Sequence, residues 1–246
     1  MDAPETLTLL DFGSFRVHED GRVIPIPGYL VRTRQGRIVL VDTGFPPSYL
    51  SDARAAAAAD GLDAFGSLVR IGPENTPRGQ LGLVGLAPGD VTDLVLTHSD
   101  IDHVGALDEF TGVPIYVGRA ERALERPRYF GDVRPLGWPQ AEYVLVDGDE
   151  EILPGLVALS TPGHSPGHLS LLVRLAETGS VLLAGDAVSR PAELESGRNG
   201  GAWDDELARS SAERLVGLAA RESALLVYGH DPAQWRTLRR APVAYA

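Results

Sequence analysis

The chain has 246 residues, 43% of them apolar, with a formal net charge of −12 and no cysteine. That length and apolar content can bury a substantial core in one domain over residues 1–246. The composition excludes disulfides, thiolate zinc sites and cysteine nucleophiles, and the acidic balance excludes nucleic acid as a partner.

In chain order, residues 1–45 read as strands and turns, with Pro25 and Pro27 expected to keep part of the stretch irregular. It closes on Val39-Leu40-Val41-Asp42-Thr43-Gly44. There Asp42 is either a buried carboxylate in need of partners or a residue capping the Thr43-Gly44 turn. The alanine run from Ser51 to Asp60 predicts a helix. Gly66 to Gly89, rich in Gly and Pro, predicts a loop over one face. Thr92 to Thr97 reads as a buried strand and delivers His98-Ser99-Asp100-Ile101-Asp102-His103. Gly118 to Glu125 predicts a helix. Leu156 to Ser160 predicts a strand, followed by the turn Thr161-Pro162-Gly163 and then His164. Leu169 to Val173 is a further strand, and Val181 to Gly185 delivers Asp186. Glu193 to Trp203 is expected to be flexible, with Trp203 a residue that packs or faces substrate. Asp204 to Arg221 predicts a helix, Ala224 to Gly229 delivers His230, and Arg236, Arg239 and Arg240 are expected on one helical face. No run reaches bilayer-spanning length, and Met1 to Glu5 lacks the features of a signal peptide, so no membrane contact and a cytoplasmic location are expected.

Five of the six histidines, His98, His103, His164, His168 and His230, lie in short contexts of this kind. Imidazole nitrogen and carboxylate oxygen are ligands of zinc, manganese and iron. Delivered at the ends of several strands, they can converge on one rim of a sheet. Two other motifs fail on chemistry. Gly163-His164-Ser165-Pro166-Gly167 fits a nucleophile elbow, but Pro166 has no N–H for an oxyanion hole and a strand follows where a helix is needed. Asp42-Thr43-Gly44 has the form of an aspartic-protease motif without the second copy that shares the proton.

These segments resemble the metallo-β-lactamase superfamily, whose signature is His-x-His-x-Asp-His followed by a separate His, an Asp and a last His. Within it, Val39 to Gly44, Thr161 to Leu171 and Gly229-His230-Asp231 are most similar to the N-acyl-homoserine lactonase group. The resemblance implies an α/β fold, a four-layer αβ/βα sandwich, and two divalent metal ions, zinc before iron or manganese. One ion would take His98, Asp100 and His164, and the other Asp102, His103 and His230, with Asp186 bridging. His168, and Asp42 in one of its two readings, would stand behind the ligands and orient them. A metal lowers the pKa of bound water from about 16 to near 7. The implied reaction is attack of a metal-bound hydroxide on a small lactone or related ester. Asp102 would be the catalytic residue that orients the hydroxide and returns a proton to the leaving alkoxide. A homodimer is compatible with a chain of this size.

The chain departs from the pattern twice. Asp100 stands where the family usually has its second His, which opens three options: harder metals, direct ligation by Asp100, or a single metal on Asp102, His103 and His230. Ser189 stands where lactonases of the group have a Tyr that positions the substrate carbonyl, leaving Tyr29 or Trp203 to fill the space if the fold brings them near. The alternatives are a diiron oxygen-binding or redox protein of the flavodiiron kind, which carries an acid at the Asp100 position, and a thioesterase of the glyoxalase II kind.

Overall fold

The computed structural model describes residues 2–128, 133–196 and 201–246, and among them twelve strands form two sheets. The first sheet holds β1 (Pro4–Val17), β2 (Val23–Thr33), β3 (Ile38–Val41), β4 (Gly66–Arg70), β5 (Asp93–Val95), β6 (Ile115–Gly118) and β7 (Tyr143–Val146). Their order is β4-β1-β2-β3-β5-β6-β7. The second holds β8 (Glu150–Leu153), β9 (Leu156–Ser160), β10 (Leu169–Leu175), β11 (Gly179–Leu183) and β12 (Leu225–Val227), in the order β12-β11-β10-β9-β8. The helices are α1 (Ala53–Asp60), α2 (Pro77–Leu83), α3 (Ile101–Val104), α4 (Arg119–Arg122), α5 (Pro191–Ser196), α6 (Asp205–Glu222) and α7 (Pro232–Trp235). None is long and apolar enough to cross a membrane.

Alternate residues of each strand point to opposite faces, and here both faces are apolar. Val39 and Val41 of β3 face Leu171 and Val173 of β10 and Val181 and Leu183 of β11 in a core between the sheets. Leu40, between them, packs outward with Leu30, Leu94 and residues of α1 and α3. Leu172 and Leu182 pack outward on the other side, against Leu215 and Ala219 of α6. Two sheets back to back with helices outside are the expected four layers.

Caps define the longer helices. Asp52 accepts from Ala55 N–H at 2.9 Å to start α1, and Gly61 ends it in the left-handed region. Asp204 accepts from the N–H groups of Glu206 and Leu207 to start α6.

Several expectations are corrected. Pro25 and Pro27 lie inside β2, opposite Ser14 and Asp11, where a bulge in β1 interrupts the ladder and the missing N–H groups are tolerated. The Gly66 to Gly89 segment is not a plain loop. It contains β4, which pairs with β1, and α2, started by Pro77 and by Thr76 Oγ1 accepting from Gly79 N–H at 3.0 Å. The helix expected over 118–125 is the short α4 alone. Arg239 and Arg240 share no helix, because α7 ends at Trp235. They stack instead on Tyr245 and Trp235, each 5.3 Å from the ring centroid. Glu193 to Ser196 belongs to α5, and residues 197–200 of the segment expected to be flexible lie outside the described residues.

Candidate metal centre

Strand direction gathers the candidate ligands. β3 and β5 are parallel neighbours, and so are β11 and β12, while β9 and β11 both run antiparallel to β10 and therefore share a direction. The C-terminal ends of these strands carry Asp42, His98, Asp186, His230 and His164 respectively. Leu169 N–H donates to Thr97 C=O at 2.7 Å, tying the second sheet to the chain just before His98.

All seven expected ligands meet there, each buried. His98, Asp100 and His164 form one group and Asp102, His103 and His230 another, with the ligand atoms in each within 4.8 Å of one another. Asp186 touches both: its carboxylate lies 3.6 Å from His164 Nε2, 3.7 Å from His103 Nε2 and 3.1 Å from His230 Nε2. Asp100 Oδ2 is 3.2 Å from His164 Nε2 and 3.7 Å from His98 Nε2. Although Asp100 is the N-cap of α3, its side chain accepts no capping hydrogen bond and turns into the first group instead.

Neighbours fix which ring nitrogen three of the four histidines present. His230 Nδ1–H donates to Pro25 C=O at 2.8 Å, and His103 Nδ1–H donates to Asp42 Oδ2 at 2.8 Å. His98 Nδ1 meets Thr97 Oγ1 at 3.0 Å. In all three Nε2 is the nitrogen turned toward the centre, where a metal displacing its proton would meet the lone pair. His98 Nε2, His103 Nε2 and Asp100 Oδ1 are buried with no hydrogen-bond partner among the described residues. Buried polar atoms of this kind are rare in native proteins. A ring of them on imidazoles and a carboxylate fits a cation completing each group.

The electrostatics agree. Burial alone would lower the pKa of His103 and His230, but the carboxylates of Asp102, Asp42 and Asp186 raise His103 to about 10. Asp186 and Asp102 raise His230 to about 9. Asp186 and Asp100, despite burial, are held well below the usual carboxylate range by the histidines around them. His168 behaves differently. Burial and the neighbouring His98 and His164 push it well down. Its Nδ1 meets Thr161 Oγ1 at 2.8 Å, and its Nε2 accepts from the Asp186 N–H at 3.0 Å. It is a neutral ring that orients Asp186 and leaves no nitrogen for a metal.

Of its two readings, Asp42 adopts the one behind the ligands. It accepts from Thr97 N–H and Thr97 Oγ1–H, each at 2.8 Å, besides His103. Its φ of 61° is a left-handed conformation rare for a side-chain-bearing residue. Asp42→Asn is expected to weaken metal binding by about 10- to 100-fold without unfolding the chain, measured by competition with a chromogenic chelator.

Of the two proposed stand-ins for the tyrosine at Ser189, one is buried beside the candidate ligands and the other lies at their rim. Tyr29 is 1% exposed, and its hydroxyl is closed off from solvent beside Asp42 and Asp186. Trp203 is 55% exposed, and its backbone N–H donates to His164 C=O at 3.1 Å, which places it on the rim. Ser189 itself serves through its backbone, donating to Glu193 and accepting from His230 N–H at 2.8 Å. Sequence reasoning missed Thr97, Thr161, Glu121 and the Pro25 carbonyl. The two threonines directly precede ligand segments and could have been suspected. The other two carry no sequence signal.

A strand-end cluster of four imidazoles and three carboxylates inside a four-layer sandwich defines a class, and comparison with known proteins identifies it. The model of the metallo-beta-lactamase superfamily matches residues 21–230. The N-acyl homoserine lactonase AiiA of Bacillus thuringiensis subsp. kurstaki is 35% identical over 222 residues, 89% of this chain and 86% of that protein. The N-acyl homoserine lactonase AttM of Rhizobium radiobacter is 30% identical over 240 residues, 91% of this chain and 88% of that protein. A solved N-acyl homoserine lactone hydrolase, with the product N-hexanoyl-L-homoserine at its catalytic metal center, superimposes with a TM-score of 0.84 at 30% identity. It covers 99% of this chain and 100% of its own. The chain belongs to the metallo-beta-lactamase superfamily. It is an enzyme, a metal-dependent hydrolase of the lactonase group.

Proposed function

We propose that the enzyme opens the ring of N-acyl homoserine lactones, using two divalent ions, zinc before manganese or iron. The observation that carries this reading is the pair of buried donor triads meeting at Asp186, in a chain whose likeness to lactonases runs along almost its whole length. His98, Asp100 and His164 would hold one ion, Asp102, His103 and His230 the other, and Asp186 both. Bound there, the ions supply Lewis acidity toward a carbonyl and acidify water enough for attack near neutral pH.

The protein's own groups do the rest. Asp42 and Pro25 aim the Nε2 atoms of His103 and His230, so the centre is preorganised before substrate arrives. Asp102 lies 3.6 Å from His103 Nε2 and 3.8 Å from His230 Nε2, beside the place where the ring ester must break. There it accepts the proton of the attacking water and hands it to the leaving ring oxygen. Water adds across the C–O bond, giving a carboxylate and a hydroxyl with net release of one proton. Absence of cysteine suits a reducing compartment, and the cytoplasm is the proposed location.

The test is direct. Metal-loaded protein is mixed with N-hexanoyl-homoserine lactone in weak buffer, and proton release is followed with an indicator. Stoichiometric release that stops on adding a chelator supports the reading. No release above the spontaneous rate overturns it.

A further inference from the structure

Glu121 stands out as the one member of α4 turned fully inward. Its neighbours Arg119 and Arg122 are engaged elsewhere, Arg119 with Asp147 at 2.7 Å and Arg122 over the rings of Trp138 and Tyr143. Glu121 is 0% exposed and, among the described residues, forms no salt bridge with a cation. Its Oε1 accepts from Ser99 N–H at 2.9 Å and from Ser99 Oγ–H, and its Oε2 accepts from Gly167 N–H at 3.0 Å. Ser99 lies between His98 and Asp100, and Gly167 lies between His164 and His168. One carboxylate thus joins the two pieces of chain that carry the first triad, and it touches no piece that carries His230.

The surroundings leave this clamp little play. A Cβ on Gly118 would sit 2.0 Å from Gly167 C=O, and one on Gly167 would sit 2.2 Å from Glu121 N, so the two backbones approach as only glycines permit. A second route runs parallel. Arg128 N–H donates to Ser99 Oγ at 2.8 Å, and its guanidinium donates to His164 C=O. Only a carboxylate offers acceptors on both oxygens. An amide in its place would set an NH2 against Gly167 N–H.

We infer that Glu121 is a positioning residue for the first triad, setting the separation between the His98–Asp100 segment and His164 so that the three donors close on one ion. The inference rests on the two-metal reading above. Its prediction is selective: loss of Glu121 weakens the first site and spares the second.

The test measures metal rather than turnover. Wild type, Glu121→Gln, Glu121→Ala and His230→Ala are loaded with zinc, dialysed against a weak chelator and analysed by elemental mass spectrometry. Absorption of the cobalt(II)-substituted proteins gives a second signature. Glu121→Ala is expected to lose one of two ions, with binding weakened at least about tenfold. Glu121→Gln keeps the Ser99 arm and falls between. The double variant Glu121→Ala/His230→Ala should hold none, while His230→Ala alone keeps the ion of the first site. Two ions at wild-type affinity in Glu121→Ala, or equal weakening of both, would overturn the assignment. If Glu121→Ala does not fold, the isosteric Glu121→Gln carries the same comparison. A wild-type chain that takes up no metal refutes the two-metal reading instead.

Discussion

Asp186→Ala is expected to abolish lactone turnover, by at least about a thousandfold or about 4 kcal/mol of transition-state stabilisation, while the chain still folds, its melting temperature lowered only to that of the metal-free protein. Its carboxylate meets His164 on one side and His103 and His230 on the other, so its removal opens both candidate sites at once. The backbone should survive the change. Asp186 sits on a single 3-10 turn, Gly185–Val188, whose neighbours Ala184, Ala187 and Val188 pack into the outer core without it. His103→Ala should behave alike, for the second site alone. The measurement is kcat by proton release alongside thermal unfolding by circular dichroism. Retained turnover in both variants would dismiss the mechanism.

Removing metal should also destabilise the fold, and more so as pH rises. An ion present at about a thousand times its Kd stabilises a folded chain by about 4 kcal/mol, or roughly 10 °C in Tm for a chain of this size. In the metal-free chain His103 and His230 hold their protons up to about 10 and about 9. Both values lie above the unfolded value near 6.5. The stability they contribute is therefore complete below about pH 6.5 and is lost as pH climbs through 9 and 10. A metal must displace those protons, so its binding strengthens over the same range. Scanning calorimetry of chelated and metal-loaded protein from pH 6.5 to 9.5 should show the gap in Tm widening. A gap that narrows with pH would contradict the placement of these histidines as ligands.

The ligand residues were legible because their chemistry is conspicuous in the sequence. A histidine or aspartate after a short apolar run stands out, and four such runs in order are not explained by packing alone. The sandwich followed from resemblance, since alternation in β3 and β10 is masked where both faces are apolar and Val39, Leu40 and Val41 are all buried. What stayed hidden depends on partners far along the chain. Pro25 looked like a strand breaker, yet it lies opposite a bulge 11 residues away in β1 and its carbonyl holds His230. Glu121 follows two residues after an arginine and precedes another, as on any solvated helix face. Only the approach of Gly167 shows it buried. Arg239 and Arg240 were assigned a helical period that stops at Trp235.

Each candidate metal position draws on both halves of the chain: His98 and Asp100 with His164, Asp102 and His103 with His230. The bond from Leu169 to Thr97 crosses the same seam. These contacts are distant in sequence, so the loop-closure entropy of the chain between them is paid before they are made. A molecule in which either sheet has formed alone therefore owns fragments of a catalyst and none of its activity. Turnover therefore needs both sheets in place, and on heating it is expected to be lost as soon as the seam between them opens, ahead of either sheet's own melting.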